Sequence, residues 1–344
     1  MRRTILAISL LAVVGCEGSG SQGGHDGPPP LDAPPLTGDR YALDYGPITV
    51  APGQESTKCV NLRLSNTAAI KVHQMRNVLS GGSHHLIVYK DDMETQERTT
   101  PYDCDPFTGA LNLSGMVAPV MITQKQDDAL TLPDKVAYTF APNQMIRIEM
   151  HYINSSDVPI DVSAVSEFYA VPDSEIEHEA NILFIGTPDI NIPAGAKMDI
   201  QAYFTPRRAN LDLSGAKFFA ITGHTHKHGL NVTVSTAVSA GGERESVYAP
   251  EPFEWSEPET TVHKPEFMMP EGLQAGFDIT CSYHNTSNQT VRFGESANAE
   301  MCFFWAYYYP SKGAHVCVRT QMFGGIDICC PDAGATICNM INQL

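Results

Sequence analysis

Four short patches of this chain concentrate side chains that bind borderline or soft metals. Ser83-His84-His85 holds two adjacent imidazoles, and His151 ends the run from Met145. Gly223-His224-Thr225-His226-Lys227-His228-Gly229 holds three more, and Glu300-Met301-Cys302 offers a thioether. Imidazole suits copper, zinc and nickel, whereas a thioether favours copper, above all Cu(I). Two histidines with a methionine therefore point to copper that stays bound when reduced. Three histidines suit copper or zinc equally.

The strands that would carry these groups constrain how they can meet. Adjacent side chains on a regular strand point to opposite faces. His84 and His85 can share an ion only if the backbone bends or they use different ring nitrogens. Around His151, Ile146, Ile148 and Met150 make one face, and Arg147, Glu149 and His151 make a polar face open to solvent or a cleft. His224 and His226 would project from one face of a strand, with His228 as a further candidate unless Gly229 already turns the chain. Met301 taken alone reads as core packing. His73, His178, His263, His284 and His315 read as structural or solvated.

Wherever periodicity shows, it has period two. Val60, Leu62 and Leu64 alternate with polar neighbours, as do Leu230, Val232 and Val234, and Phe277, Ile279, Cys281 and Tyr283. The 24 prolines and 27 glycines fit short strands joined by turns, and no segment reads as a three-turn helix. The expected fold is all-β, with two antiparallel, jelly-roll-like sandwiches and an interdomain cleft. Residues 41–175 would form the first and 176–344 the second, divided near Val171–Ala180.

Arg2 and Arg3 followed by the apolar run Ile5–Val14 read as a secretory signal over residues 1–15. Val13-Val14-Gly15-Cys16 resembles a bacterial lipobox. Acylated Cys16 and the Gly/Ser/Pro-rich stretch 16–40 would then tether an exported lipoprotein to a membrane surface, periplasmic or outward-facing. Within 344 residues, 22 Lys and Arg against 39 Asp and Glu leave a net charge of −17. That field argues against nucleic acid as a partner. Without Cys16, eight cysteines remain, an even number that reads as disulfides in an exported chain. Cys59–Cys104 and Cys281–Cys302 are preferred because each pair stays within one half. Cys317, Cys329, Cys330 and Cys338 can pair among themselves in three ways.

The ordered set of patches resembles the copper type II, ascorbate-dependent monooxygenases, which include peptidylglycine α-hydroxylating monooxygenase and dopamine β-monooxygenase. Their His-His pair, strand histidine, His-x-His segment followed by glycine, and Met-Cys match His84-His85, His151, His224-Thr225-His226 with Gly229, and Met301-Cys302. The patches fall in the family's order, at intervals of roughly 65–75 residues, and Tyr308-Tyr309-Pro310 is similar to the segment just after the family's methionine. The likeness spans about residues 41–320. It implies two coppers: one for electron transfer on His84, His85 and His151, and one for oxygen activation on His224, His226 and Met301. The latter three would be the catalytic set. It also implies O2 and a reductant such as ascorbate as co-substrates, the disulfides Cys59–Cys104 and Cys281–Cys302, and a substrate cleft between the sites.

Departures bear on the substrate. The peptide-amidating branch grips a carboxylate with an arginine where Thr222 stands here, and with Asn and Tyr where Phe303 and Trp305 stand. Without those partners a buried carboxylate would go unpaired. A small neutral or aromatic substrate is expected, with Thr222, Phe303 and Trp305 in its pocket, unless the two aromatics merely pack the sandwich. Two rival readings remain: a periplasmic copper carrier or sensor without turnover, and a zinc hydrolase with Glu149 as base, in which Met301 has no role.

Overall fold

The computed structural model describes residues 35–104, 117–294, 296–322 and 324–341. The signal segment, Cys16 and most of the 16–40 tether lie outside the described residues. The chain is nearly all β. In the N-terminal half, one sheet runs in spatial order Asp39–Val50, Ile160–Val171, Ile70–Leu79, Val136–Phe140 and His178–Glu179, with Asp127–Thr131 also on Ile70–Leu79. The facing sheet runs Arg98–Asp103, Glu55–Arg63, Met145–Ile153, Ser83–Asp91 and Val117–Thr123. In the C-terminal half, a six-stranded sheet (Thr261–Met268, Lys217–His224, Cys302–Tyr309, Asn181–Thr187, His315–Thr320, Ile326–Cys330) packs on a four-stranded one. The latter comprises Lys197–Phe204, Gly276–His284, Gly229–Ala237 and Arg244–Tyr248. Among the described strands, pairing is antiparallel except where His178–Glu179 meets Val136–Phe140 and Asn181–Thr187 meets His315–Thr320. The one α-helix among the described residues is Ala335–Ile341.

The central strands of the six-stranded sheet are buried on both faces. Along Cys302–Tyr309, Phe303, Trp305, Tyr307 and Tyr309 join the apolar cluster of the N-terminal half, while Cys302, Phe304, Ala306 and Tyr308 join that of the C-terminal half. Asn181–Thr187 splits likewise, Ile182 and Phe184 one way, Leu183 and Ile185 the other. A doubly covered strand has no use for polar alternation, which is why CFFWAYYY reads as an unbroken apolar run. The Tyr307 hydroxyl also accepts the Ile122 backbone N–H at 3.1 Å from the other half. Residues 34–344 thus form one compact unit.

Local departures from simple alternation matter for the site. Leu230, expected inside with Val232 and Val234, is 53% exposed, because the register slips between Gly229 and Asn231. The polar face around His151 is covered: Met145–Ile153 is the middle strand of its sheet, and Glu149 and His151 are buried. Four disulfides form: Cys59–Cys104, Cys281–Cys302, Cys317–Cys329 and Cys330–Cys338.

Candidate metal centre

His84 and His85 sit where Ser83–Asp91 slips register against Met145–Ile153, between Ser83 and His85. That bulge supplies the bend two neighbouring imidazoles need to turn toward one point. His85 pairs in register with His151 on the adjacent strand. One ring nitrogen from each of His84, His85 and His151 lies within 4.8 Å of the others. Ring centroids are 5.0–5.5 Å apart within this trio. His151 Nε2 meets Glu55 Oε1 at 3.0 Å, which leaves Nδ1 for a ligand.

His224 and His226 converge differently from the expectation. Lys217–His224 ends at His224, and His226 lies in the turn beyond it, closed by the Gly229 N–H donating to the His226 carbonyl at 2.9 Å. Their rings stand 5.1 Å apart. A side chain at Gly229 would collide with Thr225 Oγ1 at 2.0 Å, so glycine is required for this turn to close. His226 Nδ1 lies 3.2 Å from the Ala299 carbonyl. His228 contributes its backbone N–H to Glu300.

Glu300 binds the turn to the methionine. Its carboxylate is fully buried and accepts the backbone N–H of His226 at 2.8 Å and of His228 at 2.7 Å. Burial pushes its pKa up to about 7 against the opposing pull of those N–H groups and that of Met301. Met301 is held from the far side, where the Tyr283 hydroxyl donates to its carbonyl and Cys302 is bonded to Cys281 on the same strand as Tyr283. Glu300→Ala would leave buried N–H groups unpaired. It is expected to weaken copper at His224, His226 and Met301 by roughly 10–100-fold, as lost outer-sphere partners do, with the His84–His85–His151 trio unaffected. Metal titration of the variant checks this; equal weakening of both sets contradicts it.

The two sets meet at the junction of the halves. The His84 ring is 6.3 Å from that of His226, and His85 is 6.5 Å from His224. One pocket is lined by His85, Ile87, Ile122, Gln124, Phe184, His224, His226, Met301 and Trp305. None of these carries a fixed charge. The Phe184 ring stacks against Phe303 at 5.2 Å and against Trp305 at 5.9 Å. Of the expected pocket residues, Trp305 lines this cavity, Phe303 packs on Phe184 and Phe293, and the Thr222 hydroxyl meets that of Thr260. The Trp255 ring stands 5.8 Å from that of His84. Both tryptophans of the chain therefore flank site histidines. Elsewhere, His73 meets the Val136 carbonyl, His263 that of Val247, and His315 both the Gly313 carbonyl and the Asp332 carboxylate.

The electrostatics suit a metal. Burial lowers the pKa of His84 to about 3 and of His226 to about 4, and holds His85 and His224 well below 6.5. His151 is also lowered by burial, partly offset by Glu55. All five are neutral at pH 7, the form that ligates. His84 Nε2 and His85 Nδ1 are buried without a hydrogen-bond partner, as befits atoms reserved for an ion. The donor set of imidazoles and one thioether fits copper.

Stability follows from the same shifts. Below pH 6.5 the unfolded chain takes up protons that the folded imidazoles refuse. The metal-free protein should therefore lose stability as pH falls from 6.5 toward about 4 for His226 and about 3 for His84. The slope is at most ~1.4 kcal/mol per pH unit for each group. Thermal unfolding across that range checks it, and His84→Asn should flatten the slope; an unchanged slope contradicts the assignment.

Buried imidazoles and a thioether thus gather at the junction of the two halves. Residues 178–323 match the family model for the C-terminal domain of the copper type II ascorbate-dependent monooxygenases. The matched stretch contains His224, His226, Met301, Cys281 and Cys302. No curated protein matches the chain in sequence. Among solved structures, the major capsid protein P2 from bacteriophage PM2 is 9% identical, covering 80% of this chain and 100% of that one, with a TM-score of 0.33. The infectious bursal disease virus VP2 subviral particle is 9% identical, covering 87% and 81%, with a TM-score of 0.17. Neither likeness is close enough to bear on fold or function.

Proposed function

We propose that this protein hydroxylates a C–H bond of a small, neutral, largely apolar substrate, using O2 and a reductant such as ascorbate. Copper held by His224, His226 and Met301 would activate oxygen, and copper held by His84, His85 and His151 would deliver the second electron. The reading rests chiefly on one observation: three neutral imidazoles and a thioether line a pocket with apolar walls, and the rings of His84 and His151 stand next to those imidazoles. Copper supplies the one-electron steps that side chains cannot. The chain's own residues do the rest. Glu300 and Tyr283 fix the spacing of His226 and Met301, burial keeps every imidazole unprotonated, and Ile87, Ile122, Phe184 and Trp305 exclude water around the substrate.

A carrier or sensor without turnover would need only one of these sets. A zinc hydrolase would need a base facing the pocket, yet Glu149 is buried in its own sheet and accepts the Tyr89 hydroxyl at 3.0 Å. We infer further that the protein is exported and anchored through acylated Cys16, with residues 16–40 as a tether. The test is oxygen uptake by the copper-loaded protein with ascorbate, over a panel of small aromatic compounds. Substrate-stimulated uptake with one atom of labelled O2 recovered in the product is expected. Copper loading without any substrate-dependent uptake would favour the carrier.

A further inference from the structure

Gln124 succeeds the edge strand Val117–Thr123 of the N-terminal half, yet its amide reaches His224 of the other half. Gln124 Nε2 and His224 Nδ1 are 2.9 Å apart. The side chain is 94% buried, since Gln124 is 6% exposed, and it lines the pocket beside Met301 and Trp305. Its Oε1 is buried with no hydrogen-bond partner. A buried amide left half-satisfied at a pocket wall calls for a reason.

The protonation pattern of His224 supplies one. Two nitrogens can share a hydrogen bond only if one is bare, so an amide N–H donating to Nδ1 places the imidazole proton on Nε2. With Nδ1 taken up by Gln124, Nε2 is the nitrogen left for a metal. When His224 ligates through Nε2, Nδ1 carries the proton and needs an acceptor. A half-turn of the Gln124 amide, which barely alters its shape, brings Oε1 to Nδ1. The NH2 group then occupies the unpartnered position at the pocket wall.

We propose that Gln124 is a substrate-selecting residue: it accepts from His224 Nδ1–H and presents its NH2 to a neutral acceptor oxygen on the substrate. This rests on the reading that the pocket binds substrate beside a metal on His224. Around that donor stand Ile87, Ile122, Phe184 and Trp305, with no cation to pair a carboxylate, and an unpaired buried anion is costly. The preferred class is therefore a small molecule with an apolar or aromatic body and one carbonyl, ether or hydroxyl oxygen. Gln124 was not singled out by the sequence, because a lone glutamine after a strand carries no motif.

The test compares two probes of nearly equal shape, acetophenone and α-methylstyrene, on the copper-loaded protein and on Gln124→Leu and Gln124→Glu. Affinities are read from the shift each probe causes in the Cu(II) EPR signal. The preference for acetophenone should fall by about 10-fold in Gln124→Leu, the worth of one hydrogen bond. Gln124→Glu keeps an acceptor for Nδ1–H, so copper should still load, with a signal shifted by the added charge, while the acetophenone preference is lost. Normal copper loading with the same preference in all three proteins overturns the role of Gln124 and leaves the pocket as substrate site. Normal loading with neither probe bound by the parent overturns the pocket as substrate site, and this proposal with it. Failure to load copper on His224 overturns the metal reading first, and shows in the metal content before any probe is added.

Discussion

Met301→Ala should lower substrate-dependent turnover by more than ~100-fold, since loss of an outer-sphere partner alone typically costs 10–100-fold. The reason is positional. Met301 is buried, lines the pocket with His224 and His226, and has its backbone fixed by the Tyr283 hydroxyl. Alanine removes the thioether that favours reduced copper and leaves two imidazoles with an open, poorly defined position. The trio His84, His85 and His151 is carried by other strands and should still bind one equivalent. Steady-state oxygen uptake with parallel metal analysis checks both halves of the expectation. Turnover within a few-fold of the parent would remove Met301 from the site.

Replacing Cys281 and Cys302 together by alanine should cost about 3 kcal/mol of stability, the usual scale for closing a loop of this length. The bridge spans 21 residues and joins Gly276–His284 to Cys302–Tyr309, strands of the two facing sheets of the C-terminal half. Because Cys302 comes directly after Met301, the site should loosen too, with copper at His224, His226 and Met301 weakened before the fold is lost. Chemical unfolding and metal affinity, measured on the same variant, separate the two effects. A stability loss under about 1 kcal/mol would mean that Tyr283 and the aromatic packing hold this corner unaided.

The candidate ligands stood out in the sequence because each sits in a short patch with its own signature. The geometry behind them was less legible. His84 and His85 can cooperate because of a bulge between Ser83 and His85, which no composition rule announces. His224 and His226 meet through a turn rather than along a strand, although the glycine that closes it was visible. The all-β class came from period-two runs such as Phe277 to Tyr283, and failed locally at Leu230, where another bulge turns the side chain outward. Phe303 and Trp305 sit on one face of a strand covered on both sides, which period two does not reveal. Pairing of the last four cysteines results from adjacency: Cys329 and Cys330 point to opposite faces, so one reaches Cys317 across the ladder and the other reaches Cys338. Gln124, Phe184, Glu55 and Trp255 reach the site through tertiary contacts alone, from segments with no motif of their own.

The most direct test of the two-copper assignment is the copper stoichiometry and EPR spectrum of the protein, taken beside those of His85→Ala. Two coppers per chain are predicted, with His85→Ala losing one of them and keeping the signal of the His224–His226–Met301 site. A single copper indifferent to His85, or zinc in place of copper, would contradict it.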